Sequence, residues 1–234
     1  RTYHYQTRIG EITTVELSDG SLVTLNTNTK LQVQFSEQHR NVNLLFGEAQ
    51  FDVAKDTARP FTVTSGAKSF TALGTIFNVQ KDNESDMELV VSEGKVLISE
   101  SYLNNEQLSQ MINAETAKFN SPSIITQGEK SVINNATHVS TINLSIKQTD
   151  KELAWQQGML VFNGEPLSQA LNEVSRYSKV QFELSDDKIS KIKIAGYFKA
   201  GDIDGLLAAL SYNFGIKSKF NATNSVQLSR VNNN

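Results

Sequence analysis

The side chains best suited to metal binding or proton transfer are scattered along this sequence. Its three histidines, His4, His39 and His138, lie far apart, each in a polar turn or in the polar N-terminal segment. They form no His-x-x-x-His pair and no carboxylate–histidine cluster, the patterns that metal sites use. We therefore expect exposed or structural roles for all three, and no metal or other cofactor.

The carboxylates are no better arranged for catalysis. Asp186-Asp187 and Glu84–Asp86 are acidic turns with too few regularly spaced oxygen ligands for a calcium loop. The carboxylates of Gly47-Glu48 and Glu93-Gly94 could act as a general acid and base, but no third group is identifiable beside them. We predict that both dipeptides are solvent-facing turns and that the protein is not an enzyme.

The tripeptide Arg59-Pro60-Phe61 indicates the start of a strand. Proline lacks a backbone donor, so within sheets it belongs at a strand start or an edge. Phe61 would then enter the core, and Arg59 would pair across the sheet with Glu48 or Asp52. This structural interpretation is preferred to a binding role.

Trp155, the only tryptophan, lies where the sequence pattern changes from β to mixed α/β. Two roles are open for it. It could fix the two domains relative to each other, or it could belong to the core of the C-terminal domain.

Composition excludes several classes of function. The net charge of −3 and the pI of about 5.7 provide no basic field for nucleic acid. The absence of cysteine excludes disulfides, thiolate metal sites and a thiol nucleophile. No run approaches the roughly 20 apolar residues of a membrane helix. Because the first residue is Arg1, we expect a fragment or a processed product.

Alternating apolar residues separated by short turns dominate residues 11–98. The Asp19-Gly20 pair between two such runs is a strong hairpin signal. At least nine short strands follow one another in about 90 residues, without helical periodicity. The turns are too short for parallel crossovers, so we predict an antiparallel β-sandwich or a jelly-roll-like domain over residues 1–150. Residues 1–9 could supply an edge strand.

Two further segments belong to this predicted domain. Residues 100–122 are polar and lack a sustained period, which indicates an insertion. Weaker strands return from Ser123 and could complete the domain. Residues 147–154 then resemble a linker.

Residues 151–234 predict a small α+β domain with the order βαβ-βαβ-β. Pro166 could open one amphipathic helix. Asp202 could cap a second helix at its N-terminus, and Gly215 could end it. Two helices on one side of a small sheet would bury a single core.

Several motifs, in this order, resemble those of FecR-family proteins: TVELSDGSLVTLN, RNVNLLFGEAQFDVAKDTARPFTV, TALGTIFNV and VSEGKVLI. LAWQQGMLVFNGEPLSQALNEVSRYSKVQFEL and IAGYFKAGDIDGLLAAL are similar to the segment that follows the FecR domain. That segment resembles the short domain at the start of secretins and TonB-dependent transducers. The resemblance covers about 160 to 170 residues, outside the insertion.

The resemblance implies the periplasmic part of a single-pass inner-membrane sigma-factor regulator. Its partner would be the periplasmic signalling domain of an outer-membrane TonB-dependent transducer, bound by β-augmentation in the control of an uptake system. A sigma factor would bind only a cytoplasmic segment that is missing from this sequence. No nucleic acid or metal partner is implied.

An alternative from another class is a carbohydrate-binding β-sandwich. Such modules bind sugars with exposed flat aromatic rings, and the chain has six tyrosines. Tyr177 and Tyr212 fall in the predicted helices, however, and the N-terminal Tyr3 and Tyr5 are not clustered with the others in the sequence.

Overall fold

The fold is described here from a computed structural model, which describes residues 1–81, 83, 85–100, 106, 110, 123–135, 137–221 and 224–230. The chain folds as two units. The first comprises Arg1–Arg8 and Ile12–Asp150, and the second comprises Ile9–Glu11 and Lys151–Asn234. Nearly all of the predicted insertion at 100–122 lies outside the described residues.

The described part of the first unit is built mainly from strands. They are β1 (Thr2–Gln6), β2 (Thr13–Glu16), β3 (Leu22–Leu25), β4 (Lys30–Phe35), β5 (Arg40–Asp52), β6 (Phe61–Ser65), β7 (Lys68–Ala72), β8 (Ile76–Lys81), β9 (Met87–Glu93), β10 (Lys95–Glu100), β11 (Ser123–Thr126), β12 (Glu129–Asn134) and β13 (His138–Asn143). The predicted Asp19-Gly20 hairpin is confirmed, because β2 and β3 pair on either side of it. The predicted edge strand near the N-terminus is β1, which pairs with β4.

Strand β5 connects the two halves of this sheet. Its residues 40–46 pair with β4 and β6, and its residues 47–52 pair with β3 and β8. Strands β1, β4, β6, β7, β10 and β11 thus form a first half-sheet with the start of β5. Strands β2, β3, β8, β9, β12 and β13 form a second half-sheet with its end. The turn predicted at Gly47-Glu48 was wrong, because β5 continues through both residues.

One core unites the two half-sheets. Phe51, Phe61 and Phe77 are fully buried, and the Phe51 ring contacts the other two, with centroids 5.9 Å from Phe61 and 5.2 Å from Phe77. Alternation along the strands places these rings on the inner face, as period-two patterning requires.

The prediction of purely antiparallel pairing was also wrong. Strand β6 pairs in parallel with the start of β5, in the register Arg40↔Phe61. Residues 40–43 of β5 pair with residues 61–64 of β6. The chain between them contains the rest of β5 and residues 53–60, and it provides the crossover that a parallel pair needs.

The second unit has an α+β fold. Helix α1 (Ile146–Glu152) spans the sequence boundary between the two units, and a 3₁₀ helix (Ala154–Gln157) follows it. The remaining elements are β14 (Met159–Pro166), α2 (Leu167–Ser175), β15 (Gln181–Leu184), α3 (Asp187–Ser190), β16 (Lys193–Lys199), α4 (Ile203–Phe214), β17 (Ile216–Phe220) and β18 (Ser225–Arg230). The order of elements follows the prediction, with α3 in addition. The linker predicted at 147–154 is helical instead.

The strands of the second unit form two sheets, whereas one was predicted. Strands β14 and β16 pair antiparallel, and β15, β18 and β17 form a three-stranded sheet in that order. Helices α2 and α4 each contact strands of both sheets. The predicted caps of α4 are confirmed. Asp202 accepts a hydrogen bond from the Gly205 N–H at 2.9 Å, and Gly215 ends the helix with a φ of 62°.

The predicted fold class is therefore confirmed: a mainly β N-terminal region is followed by a small α+β region.

Candidate functional site

A buried ion pair lies beneath the loop formed by residues 53–60. The side chains of Arg40 and Asp19 are 0% and 3% exposed, and Arg40 Nη1 donates to Asp19 Oδ2 at 2.8 Å. Arg40 begins β5, and Asp19 lies in the β2–β3 hairpin. The Arg40 guanidinium also lies 5.5 Å from the centre of the Phe61 ring. This pair joins segments that are distant in sequence.

Arg40 holds the loop through the loop's backbone. It donates to the carbonyl oxygens of Ala54 at 2.8 Å, Arg59 at 2.8 Å and Asp56 at 3.3 Å. Ser21 adds a second link, because its hydroxyl donates to Asp19 at 2.7 Å and accepts from the Ala54 N–H at 3.0 Å. The loop is therefore fixed from beneath by buried, mostly charge-assisted hydrogen bonds.

Sequence reasoning missed Arg40. Most of its acceptors are backbone carbonyl oxygens that come 14 to 19 residues later in the chain. No side-chain spacing therefore distinguishes Arg40 from an exposed arginine. Only the Asp19-Gly20-Ser21 turn offered a signal, as a place where an aspartate binds nearby polar groups.

Arg59 does not pair with Glu48 or Asp52, as the sequence suggested. Its Nε donates to Asp56 Oδ2 at 2.7 Å within the loop. The side-chain hydrogen bond from Arg59 holds the pKa of Asp56 below its usual value. The other two predictions for this tripeptide are confirmed: Pro60 immediately precedes β6, and Phe61 is fully buried.

A cavity of about 380 Å³ opens beside the loop. Its lining residues are Asp19, Arg40, Ala54, Lys55, Asp56, Thr57, Ala58 and Arg59. The lining combines three cationic side chains with two carboxylates, so its formal charge is positive.

Glu48 is buried, not part of an exposed turn as predicted. It is 3% exposed and accepts hydrogen bonds from the side-chain amides of Asn26 and Asn78, each at 2.8 Å. The Thr29 hydroxyl accepts from the Glu48 N–H and donates to the Glu48 carbonyl oxygen. The polar cluster therefore holds β5 against its neighbouring segments. The prediction for Glu93-Gly94 is confirmed, since both residues are exposed.

The remaining candidate ligands lie apart. His4 and His138 are exposed and His39 is partly buried. Asp186 caps α3 by accepting from the backbone of Lys188 and Ile189. Among the residues that the structure describes, no three His, Cys, Asp or Glu side chains lie close enough to hold a metal ion.

Trp155 lies in the 3₁₀ helix of the second unit and is 3% exposed. Its indole N–H has no hydrogen-bond partner within the described part of the chain. The 3₁₀ helix contacts β14. Neither of the two predicted roles is decided by this position.

The turn at Gly74 lies between β7 and β8 and approaches the loop closely. A Cβ on Gly74 would lie 3.1 Å from the Lys55 Cα. The loop is thus packed against this turn as well as held by Arg40.

The exposed tyrosine rings lie on different elements. Tyr3 lies on β1, Tyr197 on β16 and Tyr212 on α4, with exposures of 43%, 78% and 91%. Tyr177, which the sequence placed in a helix, follows the end of α2 and is buried. Nor is any helix in the described ranges long and apolar enough to cross a membrane.

Comparison with known families finds two matches in chain order. The FecR protein family matches residues 3–97, and the family described as the C-terminal part of FecR matches residues 159–227. Together they cover more than two thirds of the chain. No protein with a curated description matches the sequence.

Two crystal structures, each of a candidate anti-sigma factor from Parabacteroides distasonis ATCC 8503, share the fold. One, at 1.65 Å resolution, is 24% identical with a TM-score of 0.75, over 98% of this chain and 99% of that one. The other, at 2.50 Å, is 24% identical with a TM-score of 0.74, over 99% and 100%.

The two family matches define a sensor and regulator, a non-enzymatic class whose members are associated with membranes. The chain belongs to the FecR family. It is accordingly a FecR-like regulator. The more specific resemblance of residues 151–234 to the short domain of secretins and transducers stays a prediction.

Proposed function

We propose that this chain is the periplasmic, signal-receiving region of its FecR-like regulator. Its partner is the signalling domain of an outer-membrane TonB-dependent transducer, and binding controls the transcription of an uptake system. The observation that carries the proposal is the presence of both FecR family matches, in order, over residues 3–97 and 159–227. The contact is between proteins and requires no chemistry from this chain.

Strand β17 is the edge we favour for this contact. It lies at the end of the three-stranded sheet and, among the strands that the structure describes, pairs only with β18. Four of its five residues are exposed, including Phe220 at 56%. An open edge offers backbone donors and acceptors to an added strand, while alternate side chains provide specificity. Lys217 and Lys219 favour a partner strand with acidic side chains.

The register between β17 and β18 shows which backbone N–H groups of β17 point to the open edge. The Asn221 N–H donates to the Ser225 carbonyl oxygen at 2.8 Å, beside the pair Phe220↔Val226. Hydrogen-bonded and non-hydrogen-bonded pairs alternate in antiparallel strands. Ser218 is therefore in a non-hydrogen-bonded pair with Leu228, and its N–H points to the open edge.

Replacing Ser218 with proline tests the contact. We expect Ser218→Pro to weaken binding about tenfold to the signalling domain of the transducer encoded beside this gene. Proline removes the outward backbone N–H and obstructs the incoming strand. Ser218→Ala keeps the N–H and should bind as the unaltered chain does. Isothermal titration calorimetry measures both, with circular dichroism as the check on folding.

The measurements test the proposed partner and the proposed contact strand separately. If the unaltered chain does not bind the signalling domain encoded beside its gene, the proposed partner is wrong. If it binds and Ser218→Pro binds equally well, the partner stands and β17 is not the contact strand.

A further inference from the structure

Two cationic groups on the loop at 53–60 have unused hydrogen-bonding capacity. Lys55 is exposed and makes no hydrogen bond or ion pair with the described residues. Arg59 uses Nε for Asp56 and places Nη1 3.5 Å from the Ser36 carbonyl oxygen. Its Nη2 donates to no group in the described part of the chain. Both side chains line the 380 Å³ cavity.

The loop that carries these groups is preorganised. Arg40, which is fully buried, donates to three of its carbonyl oxygens. Val53 and Asp56 donate their N–H groups to the carbonyl oxygens of Thr75 and Leu73, each at 3.0 Å. A ligand would therefore meet a rigid frame, and little ordering of the loop would oppose binding.

The same hydrogen bonds restrict the type of ligand. The N–H groups of Ala54, Asp56, Ala58 and Arg59 are all occupied within the protein. These four N–H groups are therefore not available to cradle a phosphate, and recognition rests mainly on side chains. The Arg59 Nη2 group and the Lys55 ammonium remain as charged donors, and charged N–H donors suit a carboxylate. The Asp56 carboxylate in the lining opposes a doubly charged phosphate more strongly than a single carboxylate.

We propose that this cavity is a carboxylate-binding site in which Lys55 and Arg59 bind the anion and the Thr57 hydroxyl adds a polar contact. The carboxylate is either a free small acid or the acidic side chain of a protein. The size of the cavity falls within the range of small-ligand pockets. The site is independent of the contact proposed for β17.

Nuclear magnetic resonance titration with matched probes tests the site. Propionate represents a free acid with one carboxylate, and N-acetyl-Gly-Glu-Gly-amide represents an acidic side chain. Propionamide and the Gln peptide are their neutral counterparts. We expect saturable shifts in the amide resonances of residues 54–59 with at least one acidic probe and with neither neutral one. The acidic probe that binds identifies the source of the carboxylate.

Variants assign the effect to the site. Lys55→Gln should weaken binding roughly tenfold through the lost charge-assisted contact. Lys147→Gln makes the same change at an exposed position of α1 and should have no effect. Binding by the unaltered chain should also weaken as sodium chloride increases, because salt screens exposed charges.

Three results would overturn the proposal. They are the absence of saturable shifts at 54–59 with both acidic probes, equal shifts with the neutral probes, and equal binding by Lys55→Gln and the unaltered chain. Lys55 is exposed and holds no other described residue by a hydrogen bond, so its replacement leaves the fold intact for the measurement.

Discussion

Arg40 shows how a single buried charge can organise distant segments. Burial of a charge is unfavourable unless it is paired and hydrogen-bonded. Arg40 meets this requirement with Asp19 and with three carbonyl oxygens of one loop. Its partners would lose their hydrogen bonds together if the guanidinium were removed.

We predict that Arg40→Met destabilises the first unit by about 3–5 kcal/mol, since it leaves the buried Asp19 carboxylate unpaired. Arg59→Met removes a partly exposed ion pair and should cost about 1 kcal/mol or less. Urea unfolding followed by circular dichroism compares the two. A loss of stability no larger for Arg40→Met than for Arg59→Met would show that the buried pair does not hold the loop.

Among the secondary-structure elements, strand β5 depends on Gly47, which lets it continue from one half-sheet to the other. Its φ is 90°, a conformation that favours glycine. A Cβ there would lie 2.3 Å from Thr29 Oγ1 and 2.6 Å from the Thr29 Cα. The backbone of the neighbouring segment therefore leaves no room for a side chain.

Gly47→Ala should destabilise the first unit by at least about 3 kcal/mol, because strain in φ and a backbone overlap combine. Gly20 is the matched control. Its φ is 84°, but no described atom lies within 4 Å of the point that a Cβ would occupy, so Gly20→Ala should cost only about 1 kcal/mol. Thermal unfolding of the two variants measures the difference. Equal losses would mean that φ alone matters at Gly47.

The sequence predicted elements whose signals are local. The strands around Phe61 and Phe77 follow from period-two alternation, and α4 follows from Asp202, Gly215 and a helical apolar face. Glu48 was assigned wrongly because the glycine before it suggested a turn. Its burial depends on Asn26 and Asn78, which lie 22 and 30 residues away.

The pairing of strands that are distant in the chain could not be predicted from the sequence either. The parallel register of β5 and β6 depends on the length of β5, and the turn expected at Gly47 concealed that length. In the second unit, the strands divide into two sheets according to which strands pair in space. The order of the elements along the chain does not determine that pairing. The candidate site at residues 53–60 was also missed. Arg40 holds this loop mainly through backbone carbonyl oxygens, which any residue type provides.

At the scale of the whole molecule, the two units provide separate cores. The core of the second unit contains Leu160, Phe162, Leu167, Ala170, Leu171, Val174, Leu206, Leu207, Leu210, Val226 and Leu228. Each unit can therefore be tested for its own stability, and the domain boundary proposed at 150/151 can be tested by expressing 151–234 alone.

Trp155→Ala should reduce the stability of the second unit by about 3–5 kcal/mol through the lost burial of a large ring. Amide hydrogen exchange measures this, since protection in β18 reports on the second unit and protection in β9 reports on the first. Loss of protection in β18 alone would support the core role. A similar loss in β9 would support the inter-domain role instead.

The shared strand β5 also affects the order in which the first unit can form. Its partners precede it at residues 22–35 and follow it at 61–81, so β5 is not fully paired until residue 81 is available. Such non-local pairing slows folding, because chain closure must come before the stabilising contacts. During synthesis, the nascent chain through β5 would hold unpaired strand edges until β6 and β8 emerge. Chaperone binding in that interval would protect these edges from aggregation.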